Sequence, residues 1–496
     1  MEGASPVTMR FPQLGYGRSS VFVVLLTSTL CLAAFDAWAA PTAPTQADPK
    51  KKAAGKSSKV ATKTVSKTNA KAAPKGSAKK PLVRTVANKT STVRRTTPAN
   101  YRTVARRPVR YAPMFSAEER EAALSWINEN MTPQQETFEN VRALVPFFEM
   151  LFQSARNKTP VHVLHYGDSH TASDDFPNSL REQFQSRFGN GGPGFSLAGR
   201  PFRGYRRYDV PNTNSTDAWT TEGILTRRGD GMHGLGGVSI TSKHPGDTVN
   251  LTAAGEQSEL LFLQQPTGGD LEVWVDDNLL GTVSTQGDLR PATAPLIETP
   301  GEHRYTFKTL NSNPVRLFGT VVQNKSGVTW EAMGINGAQA TMLADWDESI
   351  LEAHLAKRNP ALILLAYGTN EANNPNFDSK EYSLALRKVL SRLRKGAPMA
   401  SILLVGPPDC RIRNQHNLDL VIEAQINVAH QMGAAFWHWR DHMGGANSIG
   451  TWVACGLAQG DYIHMTTAGY QLLGRTLAEE LLIQYQRFVN ARMETE

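Results

Sequence analysis

The chain has 496 residues, 40% of them hydrophobic and 20% charged, with a formal net charge of +8 and a pI near 9.3. The positive excess is confined to residues 41 to 112, which hold 19 Lys or Arg against Asp48 alone, so residues 113 to 496 carry a net charge of −10. The basic pI therefore belongs to a tail, and the part of the chain with enough apolar residues to fold is acidic.

Arg10 and Arg18 precede an apolar run from Val21 to Phe35, which is short for a membrane span, and Ala37-Trp38-Ala39 supplies the small residues a signal peptidase needs. Residues 1 to 39 read as a signal peptide, with an uncleaved anchor as the alternative. No second run of transmembrane length follows, so the mature protein is expected to be exported, periplasmic and without a transmembrane segment. Of the three cysteines, Cys31 lies in the signal; Cys410 and Cys455 remain as a disulfide or as two buried thiols.

Residues 40 to 112 are rich in Lys, Ala, Thr, Ser and Pro and lack side chains to bury, which predicts disorder. A spacer, a clamp on anionic envelope polymers or lipids, and nucleic-acid binding all fit such a tail. The export signal argues against nucleic acid. Gly55-Lys56-Ser57 lacks the upstream glycine of a P-loop and is set aside.

Globular composition starts near residue 113. Ser116 with Glu119 makes a capping box for a helix reaching about Asn130, and Phe147, Phe148, Leu151 and Phe152 give a second helix a face to bury. Val161 to Tyr166 reads as a strand, and Asp174 to Phe188 as a helix. Four more apolar strands are expected at 328–333, 361–367, 401–405 and 434–439, each followed by a helical pattern: through Leu343 to Leu355, then Ser379 to Leu393, Leu418 to Met432 and Thr467 to Arg492. This alternation predicts a three-layer α/β/α domain on a parallel sheet, formed by 113–194 and 326–496. Residues 195 to 325 break it. They are Gly-rich with short strands only, and are too many for a loop, so an inserted β-sandwich or jelly-roll domain is expected.

The chemistry gathers at the ends of the strands. Gly167-Asp168-Ser169-His170 puts a serine in a strand-to-helix turn, where helix N-terminal N–H groups lie beside it. After the second strand comes Gly334-Ile335-Asn336-Gly337, and after the third Gly368-Thr369-Asn370-Glu371, whose Asn370 amide can donate to an oxyanion. Near the C-terminus Asp461 precedes His464 by three residues, so the carboxylate can accept from Nδ1–H and leave Nε2 to take the Ser169 proton.

In this order the four blocks resemble the SGNH (GDSL-type) hydrolase superfamily, over about residues 161 to 480 apart from the insert. The resemblance implies a flavodoxin-like α/β/α fold, Ser169, Asp461 and His464 as catalytic residues, and Ser169, Gly337 and Asn370 as oxyanion donors. Gly334 competes with Gly337 for the donor position. The first block departs from the family by reading Gly-Asp-Ser-His, and the third by reading Gly-Thr-Asn-Glu in place of Gly-x-Asn-Asp. An exported member with an inserted β-domain is similar to the peptidoglycan O-acetylesterases. That likeness implies an acetyl-ester substrate on a cell-wall or other envelope glycan, an acyl-enzyme, and no metal or organic cofactor. An O-acetyltransferase using the same triad, an inactive wall-binding protein and a lipid esterase are the rival readings.

Four further residues are candidate substrate contacts. His170 follows the nucleophile, and Arg440 and His442 end the last strand at the active edge. Trp274 lies on the polar side of an alternating strand, where an indole stacks on a sugar or packs against the neighbouring domain. His162 and His165, three apart on a strand, point to opposite faces and are read as structural. Asp168 is assigned to shaping its turn, and Asp174 and Asp175 to the start of the next helix.

Overall fold

The computed structural model describes residues 115–130, 138–211, 218–225 and 229–494; the signal-like segment, the basic tail and Cys31 lie outside the described residues. The central sheet has six strands: β1 (Phe138–Glu139), β2 (Pro160–Gly167), β3 (Gly327–Gly334), β4 (Leu362–Ala366), β5 (Ser401–Val405) and β6 (Ala435–Trp437). Their order is β1-β6-β5-β4-β2-β3, parallel throughout except for β1, which pairs antiparallel with β6 at the edge. The five expected strands are all present and parallel. The edge strand β1 is two residues long, too short to leave a periodic signal.

Both faces of the sheet are buried, which is why β4 and β5 read as unbroken apolar runs. Ile363 and Leu365 pack with Leu390 of α5 (Ser379–Gly396), Leu355 of α4 (Glu348–Arg358) and Val428 of α6 (Gln415–Met432). Leu362 and Leu364 pack with the opposite layer, made by α1 (Ala117–Asn130), α2 (Val145–Asn157), α3 (Asp175–Phe188) and α7 (Thr467–Met493). The Ser116–Glu119 capping box forms in both directions, at 3.1 and 2.7 Å. At the other end of α4, Asn359 takes the left-handed conformation that stops the helix before Pro360.

The segment between β2 and β3 builds two antiparallel sheets. One holds strands 290–295, 257–264, 315–323, 238–242 and 220–223, with 194–196 beside 315–323; the other holds 248–255, 301–309, 270–275 and 278–284. Strand 257–264 alternates between two cores. Leu260 and Phe262 pack with Val249, Leu251, Val273 and Phe307 of the four-stranded sheet, whereas Leu261 and Leu263 pack with Tyr166 and Ile350 of the α/β part. The larger sheet is thus buried on both faces, and the strands of this segment are built onto the central sheet through an apolar contact.

Register explains where the site lies. Gly167 pairs with Gly334 on one side and Ala366 on the other, so β2, β3 and β4 end level. The chain leaves β2 toward β3 and later returns on the far side as β4, which makes this edge the place where connections diverge and a crevice opens.

Candidate active site

The turn after β2 depends on glycine packing. A Cβ on Gly167 would lie 2.0 Å from Thr171 Oγ1, and one on Gly334 would lie 2.2 Å from the Ala172 backbone nitrogen. Both glycines let strands β2 and β3 press against the short helix Ser169–Ala172. Asp168 caps that helix, accepting the His170 backbone N–H at 2.9 Å. Ser169 is held at the first helical position with its hydroxyl at the crevice.

Ser169 Oγ lies 2.9 Å from His464 Nε2, and His464 Nδ1 lies 2.7 Å from Asp461 Oδ2. The other Asp461 oxygen accepts the backbone N–H groups of Ile463 (2.9 Å) and His464 (3.0 Å). Burial alone would raise the Asp461 pKa, but the hydrogen bonds from the His464 ring and from the two backbone N–H groups hold it below the usual carboxylate range. An ionised Asp461 fixes the proton on Nδ1 and leaves the Nε2 lone pair toward Ser169.

These groups open onto a cleft of about 770 Å³ that Ser169, Asn336, Gly337, Asn370 and His464 help to line. Gly337 has φ +80 and faces open space, whereas Gly334 is locked beneath the turn that carries Ser169. Of the two competing glycines, Gly337 is therefore the one whose backbone reaches the cleft. Asn370 Nδ2 donates to Ala338 O at 3.0 Å and to Asp168 Oδ2 at 3.3 Å. Asp168 is buried, and desolvation pushes its carboxyl up to about 8.

The far wall of the cleft comes from the segment 200–206, through Arg200, Gly204, Tyr205 and Arg206. It is fastened to the start of α3. Arg206 donates to Asp175 Oδ2 at 2.7 Å and to Ser173 O at 2.7 Å, and the Tyr208 hydroxyl donates to Asp175 Oδ1. Beneath, Asp174 pairs with the buried Arg181 at 2.8 Å and accepts the Tyr208 N–H at 2.7 Å. Asp174 and Asp175 thus do more than begin a helix: they tie the wall to the start of α3, which follows the short helix of Ser169. Sequence reasoning missed Arg200, Tyr205, Arg206 and Asn336. The one available signal was a run of arginines at 200, 203, 206 and 207 in an otherwise acidic folded region.

The other expected contacts fall elsewhere. His170 is 1% exposed and turned inward, Nδ1 at 2.8 Å from the Tyr470 hydroxyl and Nε2 at 3.3 Å from Thr369 Oγ1. It does not line the cleft, because the helical turn at 169–172 rotates successive side chains to different sides. Strand β6 ends at Trp437, and Trp439–His442 is a helical turn in place of the expected strand end. Arg440 accordingly reaches Asp419 at 2.7 Å, and His442 is stacked on Trp437 and paired with the buried Glu480 at 2.8 Å. Neither lines the cleft. Trp274 is half-buried on strand 270–275, its indole N–H donating to Glu272 at 3.1 Å, and it too lies outside the cleft lining.

His162 and His165 do face opposite sides of β2. His162 meets Thr329 and His165 accepts from the Trp330 indole N–H; burial lowers them to about 2 and about 3, so both are neutral. Cys410 and Cys455 are separate thiols. Among the described residues no His, Cys, Asp or Glu group is arranged to hold a metal ion, and no helix is long and apolar enough to cross a membrane.

A model of the GDSL-like lipase/acylhydrolase family matches residues 303–472, a range that holds Gly337, Asn370, Asp461 and His464 and leaves Ser169 outside. No curated protein matches the chain. Among solved structures, a peptidoglycan O-acetylesterase is 28% identical with a TM-score of 0.60, covering 69% of this chain and 96% of that one. A family two carbohydrate esterase from Clostridium thermocellum is 14% identical with a TM-score of 0.26, covering 49% and 93%. One from Cellvibrio japonicus is 13% identical with a TM-score of 0.24, covering 56% and 99%.

Proposed function

Given an SGNH-type hydrolase that resembles peptidoglycan O-acetylesterases, we propose that this chain is an exported serine esterase that removes O-acetyl groups from peptidoglycan or a related envelope polysaccharide. One observation carries the reading: Ser169, His464 and Asp461 form an unbroken hydrogen-bonded relay of 2.9 and 2.7 Å at the mouth of the cleft. The export part rests on the segment 1–39. The segment 195–325 with its two antiparallel sheets is read as an inserted domain, sandwich or jelly-roll in type, whose stretch 200–206 supplies the cleft wall.

In this mechanism Ser169 Oγ attacks the acetyl carbonyl carbon while His464 Nε2 takes the hydroxyl proton. Asp461 stabilises the imidazolium that forms. The tetrahedral oxyanion is held by the backbone N–H groups of Ser169 and Gly337 and by Asn370 Nδ2. Of the two Nδ2 hydrogen bonds, the one to Asp168 Oδ2, 3.3 Å between heavy atoms, is the weaker, and its hydrogen turns to the oxyanion. His464 gives its proton to the sugar oxygen as the bond from that oxygen to the acetyl carbon breaks, leaving the free sugar hydroxyl and an acetyl–Ser169 ester. Water then attacks the acetyl carbon, giving up a proton to His464; as the intermediate collapses the bond to Ser169 Oγ breaks, His464 returns the proton to Oγ, and acetate leaves.

The test is acetate release from O-acetylated peptidoglycan by the purified protein, with Ser169→Ala as control. Release that disappears in Ser169→Ala supports the reading. Acetyl transfer to a glycan acceptor without free acetate replaces it by an O-acetyltransferase, and release undiminished in Ser169→Ala, or none in the wild type, overturns it.

A further inference from the structure

The oxyanion donors of the proposed reaction come from two separate loops. Gly337 belongs to the loop after β3, and Asn370 to the short helix Thr369–Ala372 after β4. Neither loop sets the distance to the other by chain connectivity, since 32 residues separate Asn370 from Ala338 along the chain. Three hydrogen bonds span the gap. Asn370 Nδ2 donates to Ala338 O at 3.0 Å, and Gln339 Nε2 donates to Asn370 O at 3.1 Å. The backbone N–H of Ala340 donates to Glu371 Oε1 at 2.8 Å.

The first of these uses the catalytic amide itself, and the second uses a half-buried, flexible side chain. The third differs. Glu371 is 3% exposed and points inward, away from the cleft lining, among Asp168, Tyr367 and Tyr382. Burial there pushes its carboxyl up to about 7, partly offset by the Ala340 N–H. Its second oxygen, Oε2, has no hydrogen-bond partner among the described residues. Burying a carboxyl group is costly; the Ala340 N–H offsets that cost most, beside smaller contributions from the backbone N–H groups of Glu371 and Gly368, and it alone of the three comes from the other loop. That bond fixes the loop three residues beyond Gly337. An aspartate here would be one methylene shorter and would fall short of Ala340.

We propose that Glu371 is a positioning residue, which sets the spacing of the two oxyanion-donor loops by accepting the Ala340 N–H. The proposal rests on the esterase reading above. Donors must sit within a fraction of an ångström of the developing oxyanion, so a small drift of the Gly337 loop lowers turnover and leaves ground-state binding unchanged. Either protonation state of Glu371 offers Oε1 as acceptor, and so does the amide of glutamine.

The experiment measures kcat and KM on a small acetyl ester for wild type, Glu371→Ala, Glu371→Asp and Glu371→Gln, with hydrogen exchange of the 335–340 amides as a readout independent of activity. The expected result is a fall in kcat of roughly ten- to hundredfold in Glu371→Ala and Glu371→Asp. KM should stay near wild type, and exchange at Ala340 should be faster. Glu371→Gln should restore both kcat and exchange protection. An active wild type with kcat unchanged in Glu371→Ala and Glu371→Asp overturns the proposal, and so does a Glu371→Gln variant as impaired as Glu371→Asp. Should Glu371→Ala fail to fold, the Asp and Gln pair decides in the same way. An inactive wild type, by contrast, strikes at the esterase reading, and the exchange comparison then tests the Glu371 clamp alone.

Discussion

Asp168 Oδ2 accepts a hydrogen from Asn370 Nδ2 at 3.3 Å, and Asp168 is the residue immediately before Ser169. A carboxyl raised to about 8 is neutral at physiological pH, so it competes weakly with an oxyanion for that hydrogen and adds no charge beside it. Ionised, it would hold the amide and repel the oxyanion. Turnover is therefore expected to fall as pH rises through about 8. In Asp168→Asn the rate should be lower at neutral pH, because the turn loses an acceptor geometry, but this alkaline fall should vanish. A kcat profile between about pH 6 and 10 reads the difference.

The same burial has a consequence for folding. Asp168 and Glu371 have folded pKa values of about 8 and about 7, above their ordinary 3.8 and 4.5. Between the ordinary and the raised values the folded state binds more protons than the unfolded one, so stability declines with rising pH over that window. Their contribution is fully present below the ordinary values and is lost through the raised ones. Denaturant midpoints should decrease from weakly acidic to weakly alkaline pH, and Glu371→Gln should flatten part of the slope. A midpoint that rises steadily through this range would refute the buried-carboxyl account.

Replacing Asp461 by Asn should leave the fold intact and lower kcat by roughly 10³- to 10⁴-fold, because an amide no longer selects the Nδ1–H form of His464. Asp461 is well exposed, so circular dichroism and thermal midpoint should scarcely change. Retention of most activity would remove Asp461 from the relay.

His170 is a packing residue despite its place next to Ser169. Burial lowers its pKa to about 3, and the neutral ring joins Tyr470 to Thr369. His170→Ala should destabilise the protein by roughly 2–4 kcal/mol, from the cavity and from the partners left unpaired. KM for a glycan ester should be unchanged in what remains folded; a large rise in KM at unaltered stability would return His170 to the substrate.

Asp175 holds the cleft wall through Arg206 and Tyr208. Asp175→Ala should raise KM for polymeric acetylated glycan several-fold while KM for a small acetyl ester changes little. Equal effects on both substrates would show that the wall does not contact the glycan.

Much of the architecture was legible beforehand because it is written in local pattern. Two-sided burial makes β4 and β5 continuous apolar runs, and Ser116 with Glu119 marks the start of α1. The tight packing at Gly167 and Gly334, where a Cβ would meet the helix Ser169–Ala172, was not legible in this way, because it depends on how that helix seats between the strands. What could not be read were contacts between residues far apart in sequence. Trp437 ends its strand because His438 turns the chain into the helix Trp439–His442 against α7, which removes Arg440 and His442 from the edge. The alternation in strand 257–264 signals two faces, but not that both are buried against different partners.

By itself, the sequence determined the parallel α/β framework, the order of its strands along the chain, and which four loops would carry Ser169, Gly337, Asn370 and His464. Those follow from periodicity and turn chemistry, which act over a few residues. Only the tertiary structure decided that β2, β3 and β4 end in register, so that three loops meet at one point. It alone turned His170 inward, brought Arg200 and Arg206 to the cleft wall, and set the buried carboxyl of Asp168 against the Asn370 amide and that of Glu371 against the Ala340 N–H. Desolvation and long-range hydrogen bonding govern those choices, and neither is encoded in any short stretch of the chain.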